Sequence, residues 1–446
     1  MKKFIELSII GVIILGCTIP NSSTQGQSLT PLAPDPQGLR LDSIHGVLHV
    51  QKRTSAPEIM QLGNENIRAI YEACRSARVA VVANQTSIIG DGRKGNPTHL
   101  VDTLLALGID VKKVFAPEHG FRGNAHNGAH IQDSTDPKTG LPILSLHGKN
   151  KKPTAESLAD VRIILFDIQD VGARFYTYLS SLYLVMEAAA EQNKMVMVLD
   201  RPNPHGHQIA GPIIDSQWTS FVGKIPVPVV HGMTLGEMAK MINGEGWLKG
   251  GVSCDLVIIP CENYAHSDAW YPQIPPSPNL PTAESIALYP SLCPFEPTVA
   301  SIGRGTPHPF ECVGLPQFDG VISMGSFAFT PEPVPNAAPH PKHEGLNCVG
   351  QNLKGLGTHW TTSEVGFDWS FVYEYSNDWK KSKSDVAFVE SPNFLAKLTG
   401  NEEMYQVIQG KMTYNDMVAG WIEELHEFEV SRTPYLLYPM QRIESN

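Results

Sequence analysis

Six short runs of apolar residues punctuate the first part of the chain: Val79–Ala83, Val111–Ala116, Pro142–Leu146, Val161–Phe166, Met195–Leu199 and Leu256–Ile259. They are near-continuous rather than alternating, so each predicts a strand buried on both faces. Between them the spacing of apolar positions changes to three and four, which predicts helices over His99–Leu107, Ala155–Asp160, Tyr178–Gln192 and Leu235–Ile242. Buried strands alternating with helices imply an α/β fold, here a Rossmann-like doubly wound parallel-sheet domain. The pattern changes at the proline-dense stretch Trp270–Thr282. Beyond it a strand at Ser326–Thr330 and amphipathic helices at Pro392–Leu398 and Tyr414–Phe428 predict a smaller α/β (α+β) domain. The expected division is residues 41–270 and 271–446, with the active site in the cleft between them. Pro331–His343 reads as a proline-rich surface excursion, with closure of a pocket as the alternative.

The N-terminus has its own pattern. Lys2 and Lys3 precede an apolar run from Phe4 to Leu15, which ends in Ile14-Leu15-Gly16-Cys17. This fits a signal peptide over residues 1–17 with lipid attachment at Cys17, and the run is too short for a stable membrane span. An ordinary cleaved signal peptide or an uncleaved anchor are the alternatives. Residues 18–40, rich in Ser, Gln, Pro and Gly, read as a flexible tether. The expectation is an exported lipoprotein, anchored in a membrane and facing the periplasm or cell envelope. Cys74, Cys254, Cys261, Cys293, Cys312 and Cys348 show no CxxC pair, so disulfides and isolated buried thiols both remain open.

Charge narrows the partners. A net −11 over 446 residues disfavours nucleic acid and anionic lipid surfaces, so an anionic substrate must be held by a few placed arginines. Val82-Ala-Asn-Gln-Thr86 follows the first strand where Gly-x-Gly-x-x-Gly would mark a dinucleotide site, and no cofactor is expected. Instead, polar residues follow each strand: Asn84 and Gln85, Glu118 and His119, His147, then Asp167, Gln169 and Asp170, then Asp200, Arg201 and Asn203. In open α/β sheets such residues converge on one crevice. Turn formation and helix capping explain Asn203-Pro204 equally well. They explain Glu118 poorly, because glutamate is a weak turn former and no helix pattern follows it directly.

Six motifs occur in order. They are Pro-Glu-His-Gly-x-Arg-Gly from Pro117, Asp-x-Gln-Asp-x-Gly-x-Arg-x-Tyr-Thr-Tyr from Asp167, Asp-Arg-Pro-Asn-Pro from Asp200, His-Gly-Met-Thr-x-Gly-Glu from His231, Pro-Pro-Ser-Pro-Asn-Leu-Pro-Thr from Pro275, and Ser-x-Gly-Arg-Gly-Thr-x-x-Pro-Phe-Glu from Ser301. The set is similar to the NamZ-type exo-β-N-acetylmuramidases, and the likeness runs from about Val79 to Tyr435-Leu-Leu-Tyr438. It departs at Pro297, where glycine is expected, and at His147, where tyrosine is usual. The resemblance implies a two-domain glycosidase that removes terminal N-acetylmuramic acid from the non-reducing ends of peptidoglycan-derived saccharides of the MurNAc-GlcNAc type.

Cleaving a glycosidic bond takes a proton donor for the leaving oxygen and stabilisation of an oxocarbenium-like centre, normally from two carboxyl groups. Glu118 is the first candidate for general acid/base, since a proline-flanked loop beside an apolar strand can desolvate it. His119 can orient it or bond the sugar. Asp170 and Glu296 lead the candidates for the second carboxylate, ahead of Asp167 and Glu311. Asp167 and Asp170 read equally well as structural partners of Arg174 or Arg122. Muramic acid carries a lactyl carboxylate, which calls for a fixed cation; Arg304 between Gly303 and Gly305 fits, with Arg174 and Arg122 in reserve. A salt bridge from Arg304 to Glu296 or Glu311 is the structural alternative. Asn84, Gln169, Tyr176 and Glu311 complete the expected substrate contacts, and the substrate's acetamido oxygen acting as nucleophile stays open. Two other classes compete: a metal-dependent amidase using His119, His126 and His130, testable with a chelator, and a non-catalytic peptidoglycan-binding lipoprotein.

Overall fold

The six apolar runs form six strands in the computed structural model, which describes residues 38–54, 57, 60–89, 97–118, 120–122, 134–316, 325–382 and 385–441. They are β1 (Arg78–Ala83), β2 (Asp110–Ala116), β3 (Pro142–Ser145), β4 (Ile163–Asp167), β5 (Met195–Leu199) and β6 (Asp255–Ile259). All pair in parallel in the order β6-β5-β4-β1-β2-β3, and Ser134–Thr135 adds an antiparallel edge beside β3. The apolar continuity has a direct cause. Ala80 and Val82 of β1 enter one core while Val79, Val81 and Ala83 enter the other; Ile164 and Phe166 of β4 divide from Ile163 and Leu165 in the same way. With both faces buried, period-two patterning has nothing to mark.

The four helices expected between the strands are present at Leu100–Ala106, Ala155–Leu158, Tyr178–Glu191 and Leu235–Gly244. The fold is therefore the Rossmann-like α/β arrangement expected, with the chain reversing direction of travel between β1 and β4. The second half is smaller and less regular. Its three antiparallel strands, Cys312–Pro316, Cys348–Asn352 and Phe327–Phe329, lie in that spatial order, surrounded by helices that include Ala283–Leu292, Ser370–Lys381, Pro392–Thr399 and Tyr414–Arg432. Leu39–Asn446 packs as one compact unit.

Arg174 shows how the two halves are fastened. Its side chain is 1 % exposed, and its guanidinium donates to the carbonyls of Pro212 at 2.7 Å, Val227 at 2.9 Å and Leu398 at 2.9 Å. Burial works against its charge and lowers its pKa. Charge-assisted bonds to three carbonyl dipoles are the compensation.

Several histidines lie in the same interior. Burial holds His205 and His231 down at about 3, and His207 well below its ordinary value. A depressed folded-state pKa means that the unfolded chain binds protons near pH 6.5 while the folded chain does not, so stability is complete above that pH and falls below it. Each such imidazole costs about 2 kcal/mol at pH 5. A melting temperature that drops steeply between pH 7 and pH 5 is expected; a flat profile over that window would show these rings to be protonated at no cost.

Candidate active site

At the switch point between β1 and β4 the chain plugs its own crevice. Asp167 is fully buried and ion-paired with Arg201 at 2.7 Å, with Asn64 donating to it at 3.2 Å. The amide of Asn84 donates to the Tyr178 hydroxyl at 2.9 Å and its oxygen accepts from Thr86. Gln169 donates to the carbonyls of Asp170 and Pro202. Ser87 donates to the Asp167 carbonyl. Asp200, after β5, accepts from Thr234, Gly236 and Tyr438 and so anchors the start of Leu235–Gly244. The position where such sheets bind nucleotides is filled by side chains.

The space lies to one side. A cavity of ≈ 700 Å³ is bounded by the segments after β2 and β4 and by the C-terminal half. The first half contributes Glu118, Phe175, Tyr176, Thr177 and Tyr178 to its lining, and the second half contributes Tyr289, Cys293, Glu296, Arg304 and Phe310. Glu118 is half-buried, and its Oε2 accepts from the Thr177 hydroxyl at 3.2 Å. Thr177 precedes the fourteen-residue helix Tyr178–Glu191, so the positive end of a helix dipole lies beside this carboxylate. Tyr176 and Tyr178 meet edge to face at 4.8 Å and form a buried aromatic floor.

In the same lining, Glu296 Oε1 meets Arg304 Nη2 at 2.6 Å and Nε at 2.8 Å, both side chains about one-quarter exposed. Gly303 and Gly305 hold φ of 78° and 81°, a left-handed backbone on each side of Arg304 that side-chain-bearing residues rarely adopt. The guanidinium lies 4.9 Å from the Phe310 ring centroid. Phe310 itself has φ 56° and is fully buried, a costly conformation for a bulky residue and one that clusters at functional sites.

The sequence-derived candidates thus divide. Glu118, Tyr176, Glu296 and Arg304 meet in one cavity. Asn84 and Gln169 belong to the plug, and Arg174 to the fastening between halves, because each is consumed by buried partners. Arg122 binds Asp136 at 2.8 Å and Asp102 at 2.9 Å, tying the helix Leu100–Ala106 to the turn before β3; its guanidinium holds Asp136 down at about 2. Glu311, buried, accepts from Thr282 at 2.5 Å and meets His308 at 3.2 Å, which secures the Arg304 loop to the start of Ala283–Leu292. Asp170 lies outside the cavity lining. Burial pushes it up to about 7, and its Oδ2 has no partner among the described residues. The hydroxyl of Tyr176 is likewise buried without one. His119, His126, His130 and Cys17 fall outside the described residues.

Other lining residues entered the sequence reading only as parts of a motif or a loop, without an assigned role. Asn279 donates to the Ala337 carbonyl at 2.8 Å, and Ala337–Lys342 lines the cavity. The Pro331–His343 excursion is therefore part of the wall, not a surface loop alone. It is pinned by Gly345 to Pro331, His343 to Val299 and Lys342 to Glu390 at 2.8, 2.6 and 2.7 Å.

Residues 79–284 match the family described as exo-beta-N-acetylmuramidase NamZ, N-terminal, and residues 287–438 match its C-terminal counterpart. The chain is 36 % identical over 348 residues to a peptidoglycan beta-N-acetylmuramidase NamZ of Bacillus subtilis, covering 74 % of this chain and 80 % of that one. Two crystal structures of DUF1343 family proteins from Bacteroides fragilis are similar. The first has TM-score 0.75 and 38 % identity over 86 % of this chain and 99 % of its own; the second has 0.70 and 26 % over 86 % and 100 %.

Proposed function

The chain belongs to the NamZ exo-β-N-acetylmuramidase family, and from that membership we propose that it hydrolyses terminal, non-reducing β-N-acetylmuramic acid from peptidoglycan fragments. The observation that carries the reading is that Glu118 and Glu296 line one cavity together with buried aromatic rings and a placed arginine. Glycosidases work with two carboxyl groups flanking the scissile bond. Glu118 protonates the leaving oxygen as general acid. Glu296, held by Arg304, presents the second carboxylate to the ring carbon where positive charge develops. Asp170, pushed up by burial to about 7 and lying outside the cavity lining, is given no contact with the sugar. The Arg304 guanidinium shares itself between Glu296 and the lactyl carboxylate that distinguishes muramic acid from glucosamine.

Release of para-nitrophenol from para-nitrophenyl β-N-acetylmuramide, with the glucosaminide as control, tests the reading. Turnover of the muramide alone supports it; turnover of neither sinks it. For the arginine, Arg304→Met is expected to cut kcat/KM on the muramide by roughly 10–100-fold, the worth of a charge-assisted bond. Equal rates for variant and wild type would remove Arg304 from substrate recognition.

We further propose that the enzyme is exported and held on a lipid tether in the cell envelope, a reading supported by Lys2 and Lys3, the apolar run from Phe4, and Cys17. Incorporation of labelled palmitate, lost in Cys17→Ser, tests that placement.

A further inference from the structure

Among the described residues that line the cavity, two alone are exposed to solvent, and both carry aromatic rings: His340 and Phe394. Each sits on a fixed element. Phe394 lies on the helix Pro392–Thr399, begun by proline at its first position and ended by Gly400 at φ 102°. Leu395 and Leu398 of that helix are buried in the core, and the Leu398 carbonyl is held by Arg174. Phe394 faces away from this packing, 38 % exposed. His340 stands between Pro339 and Pro341, whose rings fix the backbone, on the wall loop pinned at Val299, Asn279 and Glu390. A lone exposed phenylalanine is ordinary on any surface. Two exposed rings lining one cavity, on rigid supports that do not need them for packing, call for a reason.

The polymer supplies one. An exo-acting enzyme admits the terminal sugar first, so the rest of the saccharide must leave through the mouth. The buried part of the lining includes Tyr176, Tyr178, Tyr289 and Phe310, while His340 and Phe394 are open to solvent. The sugar on the leaving side of the scissile bond therefore lies at the rim. A pyranose offers an apolar C–H face with hydroxyls around its edge, which suits a half-exposed aromatic ring. We propose that Phe394 and His340 form the leaving-group subsite, recognising the pyranose next to the bond that is cut. This rests on the glycosidase reading above and names residues that set specificity within it.

The test compares two substrates with one glycone, the MurNAc-β-1,4-GlcNAc disaccharide and β-muramyl fluoride, whose leaving group is a single atom. In Phe394→Ala the KM for the disaccharide is expected to rise roughly five- to tenfold, the worth of one stacked ring, with a smaller rise for His340→Ala. Kinetics on the fluoride should stay within about twofold of wild type, and Phe394→Tyr should restore the disaccharide KM. An unchanged disaccharide KM, or equal losses on both substrates, overturns the subsite. Wild-type protein that turns over neither substrate overturns the glycosidase reading and the subsite with it, an outcome distinct from the first two.

Discussion

Glu118→Gln is expected to lower kcat on the para-nitrophenyl muramide by roughly a thousandfold while leaving the melting temperature unchanged. The amide keeps the size of the side chain and can still accept from the Thr177 hydroxyl, so the bond at 3.2 Å and the turn that carries it persist. What is lost is the proton that the leaving oxygen needs. A good leaving group needs less help, so the defect should be larger on the natural disaccharide than on the nitrophenyl glycoside. Steady-state kinetics on both substrates, with a thermal melt of each protein, decide the matter. A variant that keeps more than about a tenth of wild-type kcat on the disaccharide would assign proton donation elsewhere.

The second large effect concerns stability. Arg174→Met should cost about 3–5 kcal/mol, because it strands the buried carbonyls of Pro212, Val227 and Leu398 in an interior with no room to rehydrate them. Methionine retains much of the apolar stem, so the loss reports the hydrogen bonds more than the volume. Urea unfolding should show a lower midpoint, and a midpoint within error of wild type would mean that water replaces the guanidinium. Because Leu398 shares its helix with Phe394, the surviving folded protein should also show a raised disaccharide KM.

The strands and the helices between them were readable because their signal is local. Burial on both faces writes an uninterrupted apolar run into the sequence, as in Arg78–Ala83, and no distant residue is needed to read it. The helix Ala283–Leu292 was not readable: Pro290 lies inside it and eight of its ten residues are buried, so neither propensity nor amphipathic period announces it. The site divides along the same line. Glu118 was legible because its chemistry is out of place in a turn, and Arg304 because two glycines flank it. Arg201 and Asn84 follow strands just as Glu118 does, yet Arg201 finds Asp167 34 positions away and Asn84 finds Tyr178 94 positions away. A sequence shows which residues follow a strand. Which of them already have partners is settled only when distant segments meet.

The six cysteines within the described residues are buried free thiols. Burial pushes their ionisation up, to about 11 at Cys74 and about 12 at Cys254, Cys312 and Cys348, and the nucleophile is the thiolate. While the chain is folded these sulfurs are chemically silent. Apart from Cys293, which lines the cavity, they react only when the surrounding packing opens, and they are distributed from Cys74, ahead of β1, to Cys348 in the last sheet. The rate at which an electrophile consumes them is thus a clock for opening of the interior, carried by the protein without any added label. The same property sets a condition for handling it: refolding belongs in a reducing buffer, since unfolding exposes these buried thiols at once and oxidation at that stage would join partners that the native packing keeps apart.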